Sequence, residues 1–223
     1  KESEKINYIA LKNFIDNCKG KKLNKVIFIS TCSNYGLIEN NEVADENYNL
    51  NPLSNYAKQK VAIENYIMSL KGKVDYSTTI LRFATAFGIS PRMRFDLVVN
   101  EFTRELYLKN NIIIYDANTW RPYCHVNDFA SLIDKVINSN NKIIDFQIFN
   151  AGSDKNNSTK LGIIKSLKKY FPESKIIFKD KGSDPRNYRV DFSKVKNILD
   201  FETKFTIDDG IKEVVNVLKQ GRF

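Results

Sequence analysis

Between residues 25 and 60 the chain commits itself to a buried strand followed by a long helix. Lys25-Val-Ile-Phe-Ile-Ser-Thr31 is an apolar, β-branched run of one strand's length, and it opens into Cys-Ser-Asn-Tyr-Gly36. Helix signals follow at Asn51-Pro-Leu-Ser-Asn-Tyr-Ala-Lys-Gln-Lys60, where Pro52 makes a turn and Ser54 is placed to cap the first helical N–H groups. A strand that is apolar throughout needs cover on both faces, which a helix returning across the sheet supplies.

The same alternation runs down the chain. The spacing predicts helices at about residues 8–17, 54–71, 96–109, 128–139, 159–170, 193–199 and 207–218. Strands fall at about 25–30, 77–82, 112–115, 146–150 and 175–179. Helices alternating with strands imply an α/β fold with a parallel sheet covered on both faces. The polar stretches Asn138-Ser-Asn-Asn-Lys142 and Ser153-Asp-Lys-Asn-Asn157 read as loops.

Tyr56 and Lys60 are four positions apart and so share one helix face. A free phenol has a pKa of about 10, and a neighbouring cation lowers it by roughly 1 to 3 units, so Lys60 is expected to make Tyr56 a usable base. Thr31, at the end of its strand, is placed to hold a substrate oxygen against that phenol. Spacing alone is weak, because Tyr8-Ile-Ala-Leu-Lys12 matches it too. That second pair has no strand-end hydroxyls beside it and reads as structural.

Four segments in order give a resemblance. Ile29-Ser-Thr-Cys-Ser-Asn-Tyr-Gly36, Tyr56-x-x-x-Lys60, Leu81-Arg-Phe-Ala-Thr-Ala-Phe-Gly88 and Trp120-Arg-Pro-Tyr-Cys-His-Val-Asn-Asp128 resemble the extended short-chain dehydrogenase/reductases, and within them the NAD-dependent nucleotide-sugar epimerase/dehydratase group. The resemblance implies the C-terminal part of a Rossmann-type doubly wound parallel sheet with a smaller mixed α/β substrate-binding lobe. Residues 1–88 and 124–151 are then the remaining part of the dinucleotide-binding domain, and residues 89–123 and 152–223 the lobe. It implies catalysis by Thr31, Tyr56 and Lys60, with Tyr56, Lys60 and Phe83 toward NAD or NADP. Thr85, Asp96, Arg121, Arg186 and Arg189 are implied substrate residues, the arginines for the diphosphate, with Arg189 close enough to exchange with Arg186. Arg92 and Arg94 lie on the substrate loop that begins at Ile89. The implied partner is a nucleotide-diphosphate sugar, and a homodimer is expected of the complete enzyme.

Departures from the family pattern narrow the chemistry. Cys32-Ser33 stands where dehydratases that act across the sugar's C5 and C6 place Asp-Glu, and Ser90 stands near the expected loop histidine of C3/C5 epimerases, with Cys32 one position early. What remains is oxidation or reduction at a sugar carbinol, most often C4, in surface-polysaccharide sugar synthesis. His125, beside Val126 and Asp128 at a helix start, reads as structural. The chain has 9 Gly and no glycine-rich pyrophosphate turn, and it opens on what reads as the helix before the family's fifth strand. The expectation is that an N-terminal half was cut off or lost, leaving one edge of the Lys25–Ser30 strand unpaired.

Composition excludes more than it assigns. Three cysteines at unrelated spacings and one histidine make neither a disulfide framework nor a zinc site, and they fit a reducing cytoplasm. No apolar run reaches membrane-span length. The net charge of +9 comes from lysines scattered among acids, as on solvated faces, so nucleic acid is not expected as a partner. The competing reading is a catalytically silent fragment or homologue that binds a partner through this basic surface.

Overall fold

The computed structural model describes residues 2–39, 42–180, 182 and 184–222. A helical run opens the chain, with α1 (Glu2–Glu4) and α2 (Leu11–Cys18) joined by a π-helical stretch at Lys5–Ala10. It is followed by β1 (Lys25–Thr31), a single 3-10 turn at Cys32–Tyr35, β2 (Val43–Ala44) and α3 (Asn55–Met68). The middle of the chain forms β3 (Ser77–Phe83), β4 (Thr85–Phe87), α4 (Val98–Lys109), β5 (Asn111–Tyr115), β6 (Trp120–His125), α5 (Val126–Asn138), α6 (Asn141–Ile144) and β7 (Gln147–Ala151). The rest comprises β8 (Asn157–Thr159), α7 (Lys160–Leu167), β9 (Lys175–Lys179), β10 (Arg189–Val190), α8 (Ser193–Leu199) and α9 (Ile207–Lys219).

The strands β1, β3 and β7 form a parallel sheet in the order β1-β3-β7, with Lys25 opposite Ser77 and Thr31 opposite Phe83. Successive side chains of a strand point to opposite faces, and β3 shows both of them buried. Ile80 joins Phe28 against Ile15, Ile63 and Ile67 of α2 and α3, whereas Leu81 joins Phe149 against Leu132 and Val136 of α5 and Val195 of α8. The doubly covered parallel sheet inferred from the alternation is therefore present. Among the described residues β1 has no strand on its other side.

A second set of elements sits beyond the carboxyl ends of this sheet. β4, β6 and β8 form a mixed sheet in which β6 runs parallel to β4 and antiparallel to β8, and β5 pairs in parallel with β9. Their core is Phe87, Val99, Phe102, Leu106, Tyr123, Ile163 and Ile211, drawn from β4, α4, β6, α7 and α9. The strands β4, β6 and β8 were not read from the sequence. Each pairs over only three residues, with partners tens of positions away, so no local periodicity announces them.

His125 caps α5, its Nδ1 accepting from the Asn127 N–H at 3.2 Å. Nε2 therefore carries the proton and donates to Glu213 Oε2 of α9 at 2.7 Å, which ties the two halves of the fold together. This is the structural role expected of it. Gly88, at φ +98, leaves room for the imidazole, since a Cβ there would lie 2.2 Å from Nε2. Gly88→Ala is expected to cost more than about 1 kcal/mol. A denaturant midpoint equal to wild type would show that the ring swings aside freely.

Candidate functional site

Ser54 starts α3 by accepting from the Ala57 N–H at 3.1 Å, a cap of the type worth about 1 kcal/mol. The start of α3 sets Tyr56 beside the carboxyl ends of β1 and β3, where a cleft of about 810 Å³ opens. Thr31, Tyr56, Phe83 and Thr85 line it, as do Arg121, Asp184, Arg186 and Tyr188. The cleft thus brings together Thr31 and Tyr56 with the two diphosphate candidates, residues spread over more than half the chain.

Tyr56 is 44% exposed. Burial of the rest pushes its phenol above the ordinary value, and the Arg94 guanidinium pulls the other way. Lys60 donates from Nζ to the Ile29 carbonyl at 2.7 Å and lies 4.7 Å over the Phe28 ring and 5.7 Å from the Tyr56 ring centroid. Burial lowers its ammonium pKa, partly offset by the Glu64 carboxylate. Arg94 is the cation that lowers the Tyr56 pKa in the unliganded chain, while Lys60 is held on a backbone carbonyl beside the ring. Lys60 is not among the residues lining the cleft. Lys12, the control, bonds Asp16 at 3.1 Å and lies 4.7 Å over the Tyr66 ring, away from this cleft.

A buried polar network underlies the strand ends. Arg82 of β3 grips Glu64 of α3 with Nε at 3.2 Å from both carboxylate oxygens and Nη2 at 2.7 Å from Oε2. Glu64 also accepts from the Ser30 hydroxyl and from Asn34 Nδ2 at 2.8 Å. Arg82 Nη1 reaches the Tyr35 hydroxyl at 3.0 Å, which in turn donates to Asn150 Oδ1 of β7 at 2.7 Å. The network fastens all three strands of the parallel sheet to the helix that carries Tyr56.

In the same cleft, one carboxylate holds two arginines. Asp184 Oδ2 accepts from Arg121 Nη2 at 3.0 Å and from Arg186 Nη2 at 2.8 Å, and Oδ1 accepts from Arg186 Nε at 2.8 Å. Burial pushes the Asp184 carboxyl up, but the hydrogen bonds and charge of Arg186 and Arg121 outweigh it and hold the group well below the usual carboxylate range. Arg186 Nη1 also reaches Ser33 Oγ at 3.1 Å, and the Arg121 guanidinium lies 5.0 Å over the Tyr188 ring.

The remaining predicted residues divide. Phe83 lines the cleft and stacks on Phe129 with ring centroids 3.8 Å apart, and Thr85 lines it opposite Tyr123 in the β4–β6 register. Asp96 lines it too, engaged by Arg94 through a fork of two 2.7 Å bonds. Arg189 is corrected: it lies outside the cleft lining, its guanidinium 5.2 Å over the Trp120 ring, and so does not exchange with Arg186. The residues between them turn the chain into β10, and a strand sends neighbouring positions to opposite faces. Cys32 is 1% exposed, its Sγ 3.1 Å from the Arg82 carbonyl, and burial pushes its thiol far up.

Sequence reasoning missed Lys160, Tyr123 and Asp184. Lys160 is the first residue of α7 and lines the cleft with Nζ on the Tyr115 carbonyl at 2.7 Å. The available signal for Asp184 was its place two residues before Arg186 in Asp-Pro-Arg. No helix among the described residues is long and apolar enough to cross a membrane.

The chain is similar to several known proteins. The chain is 25% identical over 215 residues to a Bacillus subtilis protein named Uncharacterized UDP-glucose epimerase YtcB, covering 95% of this chain and 66% of that one. It is 27% identical over 220 residues to a putative UDP-glucose 4-epimerase of Methanocaldococcus jannaschii, covering 96% and 69%. In structure it superposes on UDP-glucuronic acid 4-epimerase from Bacillus cereus, solved with UDP-glucuronic acid and NAD, at a TM-score of 0.84 with 24% identity, covering 97% of this chain and 68% of that one. The chain thus spans about two thirds of the length of these relatives. Residues 2–152 match the NAD dependent epimerase/dehydratase family, and the chain belongs to that family.

Proposed function

We propose that this chain carries the substrate site and catalytic half-site of an NAD-dependent enzyme acting on a nucleotide-diphosphate sugar, at C4 of the sugar, as an epimerase or oxidoreductase. One observation carries the reading. Arg121 and Arg186 converge on a single anion, Asp184, and all three line the same cleft as Thr31 and Tyr56. Planar guanidinium forks match phosphate oxygens in pairs, so the place Asp184 fills suits a diphosphate.

The residues present fit one end of NAD. Tyr56 and Lys60 share a helix face beside the cleft, and Phe83 lines it, which suits a nicotinamide ribose. The sequence has no glycine-rich turn for the pyrophosphate. When bound, NAD supplies the hydride acceptor for oxidation of a carbinol. The chain's part is to hold that alcohol with the Thr31 hydroxyl and to take its proton on the Tyr56 oxygen. The Cys32 environment supports this over C3/C5 epimerisation, because a sealed thiol with a raised pKa is a poor base. In the same reading, residues 1–88 and 124–151 serve the dinucleotide, residues 89–123 and 152–223 the sugar nucleotide, and the complete enzyme is a homodimer in the cytoplasm.

The test is calorimetric binding of UDP, dTDP and GDP, which does not depend on the dinucleotide site. At least one is expected to bind, and Arg121→Ala and Arg186→Ala are each expected to weaken it about tenfold to a hundredfold, the size of a charge-assisted hydrogen bond. Absence of binding by all three, or arginine variants that bind as wild type does, would sink the proposal. It would leave a silent binding module as the better account.

A further inference from the structure

The sheet formed by β5 and β9 has an open face. The two strands pair in parallel with Asn111 opposite Lys175, Ile113 opposite Ile177 and Tyr115 opposite Lys179. Alternate positions of a strand share a face, so these six residues point one way and Ile112, Ile114, Ile176 and Phe178 the other. Ile112, Ile114 and Ile176 join the core of Phe87, Val99 and Ile163, whereas all six residues of the first set are exposed. The solvated face of a half-buried sheet is ordinarily polar. Here its centre is Ile113 beside Ile177, with Tyr115 adjoining.

The free edge lies on β9. The sheet has no further strand among the described residues. Along a strand, alternate residues hydrogen-bond to opposite sides. The Lys175 N–H donates to the Asn110 carbonyl and the Lys179 carbonyl accepts from the Asp116 N–H, both at 2.9 Å, so the odd-numbered residues of β9 face β5 and the N–H and C=O groups of Ile176 and Phe178 face outward. The Phe178 side chain shows the same opening. It is on the core side, opposite Ile114, yet it is 50% exposed where Ile114 is 1% exposed. A strand laid along β9 would cover the ring and pair the two outward backbone positions.

Charge decides which strand suits this edge. The six outward positions carry two lysines and no carboxylate. A second copy pairing antiparallel about Ile177 would set Lys175 opposite Lys179 twice over, and like charges directly opposite destabilise a strand pair. A strand with carboxylates beside the lysines and apolar side chains beside Phe178 has no such conflict. We infer that the outer edge of β9 is a docking site for an extended acidic segment of a partner protein, which joins the sheet through main-chain hydrogen bonds to Ile176 and Phe178 and covers the Phe178 ring. This does not depend on the nucleotide-sugar reading, because no residue of β5 or β9 lines the cleft.

The probe is an end-blocked peptide of about seven residues, a strand's length, alternating glutamate and valine. Its binding to the full chain is read by fluorescence anisotropy beside two counterparts, one with lysine for glutamate and one methylated at alternate amide nitrogens. The acidic peptide is expected to bind at least about tenfold more tightly than either, the size of a pair of cross-strand charge contacts or of the lost main-chain bonds. Lys175→Glu with Lys179→Glu is expected to reverse the preference in favour of the lysine peptide with the melting temperature unchanged, since both side chains are exposed. Lys71→Glu with Lys73→Glu, exposed in the turn after α3, alters the net charge equally and should leave the preference as it is. Equal binding of the acidic peptide and either counterpart would overturn the inference. So would an equal effect of the Lys71 and Lys73 changes, which would reduce the binding to general attraction by a basic protein. Self-association abolished by Phe178→Asp, in a chain that binds no acidic peptide, would overturn it in favour of a second copy, and adsorption to phosphatidylserine vesicles with the same dependence in favour of a membrane.

Discussion

Assayed in the complete enzyme, Tyr56→Phe is expected to lower turnover of a nucleotide-diphosphate sugar with NAD by about a hundredfold to ten-thousandfold, the range for loss of a positioned proton acceptor. The fold should not register the change. The side chain is 44% exposed, and among the described residues no hydrogen bond runs through its oxygen. The rate should therefore fall with the melting temperature unmoved, a pairing that damage to packing would not produce. Tyr8→Phe is the control, since Tyr8 has the same spacing to a lysine but packs against the cluster of Ile15, Phe28 and Ile63. Near-normal turnover by the Tyr56 variant, or an equal loss from Tyr8→Phe, would remove Tyr56 from the chemistry. Lys60→Ala should cost comparably with weaker cofactor binding, but through placement rather than through the phenol's acidity, because Lys60 is held on the Ile29 carbonyl.

Glu64→Ala carries the largest expected cost to stability. Glu64 and Arg82 are 2% and 3% exposed, and among the described residues the carboxylate is the one charged group bonded to the guanidinium. Removing it leaves a buried cation with only the Tyr35 hydroxyl at 3.0 Å and the Glu46 carbonyl at 3.2 Å, and strands the Ser30 hydroxyl and the Asn34 amide as well. Breaking a buried pair on one side costs about 3 to 5 kcal/mol, mostly from the charge left unpaired. Denaturant titration reads it directly. A loss below about 1 kcal/mol would mean that water enters to solvate Arg82. Because the network fastens α3 to β1, β3 and β7, the same variant should also loosen the helix that carries Tyr56.

The parts of this molecule that could be read in the chain are those built from neighbours in sequence. The strand at Lys25–Thr31, the Ser54 cap, the shared face of Tyr56 and Lys60 and the helix start at His125 all rest on periodicity and capping within a few residues. For the same reason the four motif segments could be lined up in order, and the cleft then collected Thr31, Tyr56, Phe83, Thr85, Asp96, Arg121 and Arg186 as expected. The chemistry proposed here rests on residue types already visible in the chain: a phenol, a strand-end hydroxyl, two guanidinium forks and no Asp-Glu after Thr31.

What the chain alone did not decide were quantities that depend on distance between groups far apart in sequence. Asp184 meets Arg121 across 63 residues, and nothing local says that one carboxylate will hold both arginines. Arg189 faces Trp120 and not the cleft because β10 pairs with β2, a contact between segments 146 residues apart. Lys60 donates to the Ile29 carbonyl because α3 packs across β1 there, and the Tyr56 phenol is raised by burial and eased by Arg94. Spacing places side chains on a common face, but a pKa or an ion pair is set by desolvation and by Coulomb terms that fall with distance, and those exist only once the chain has folded.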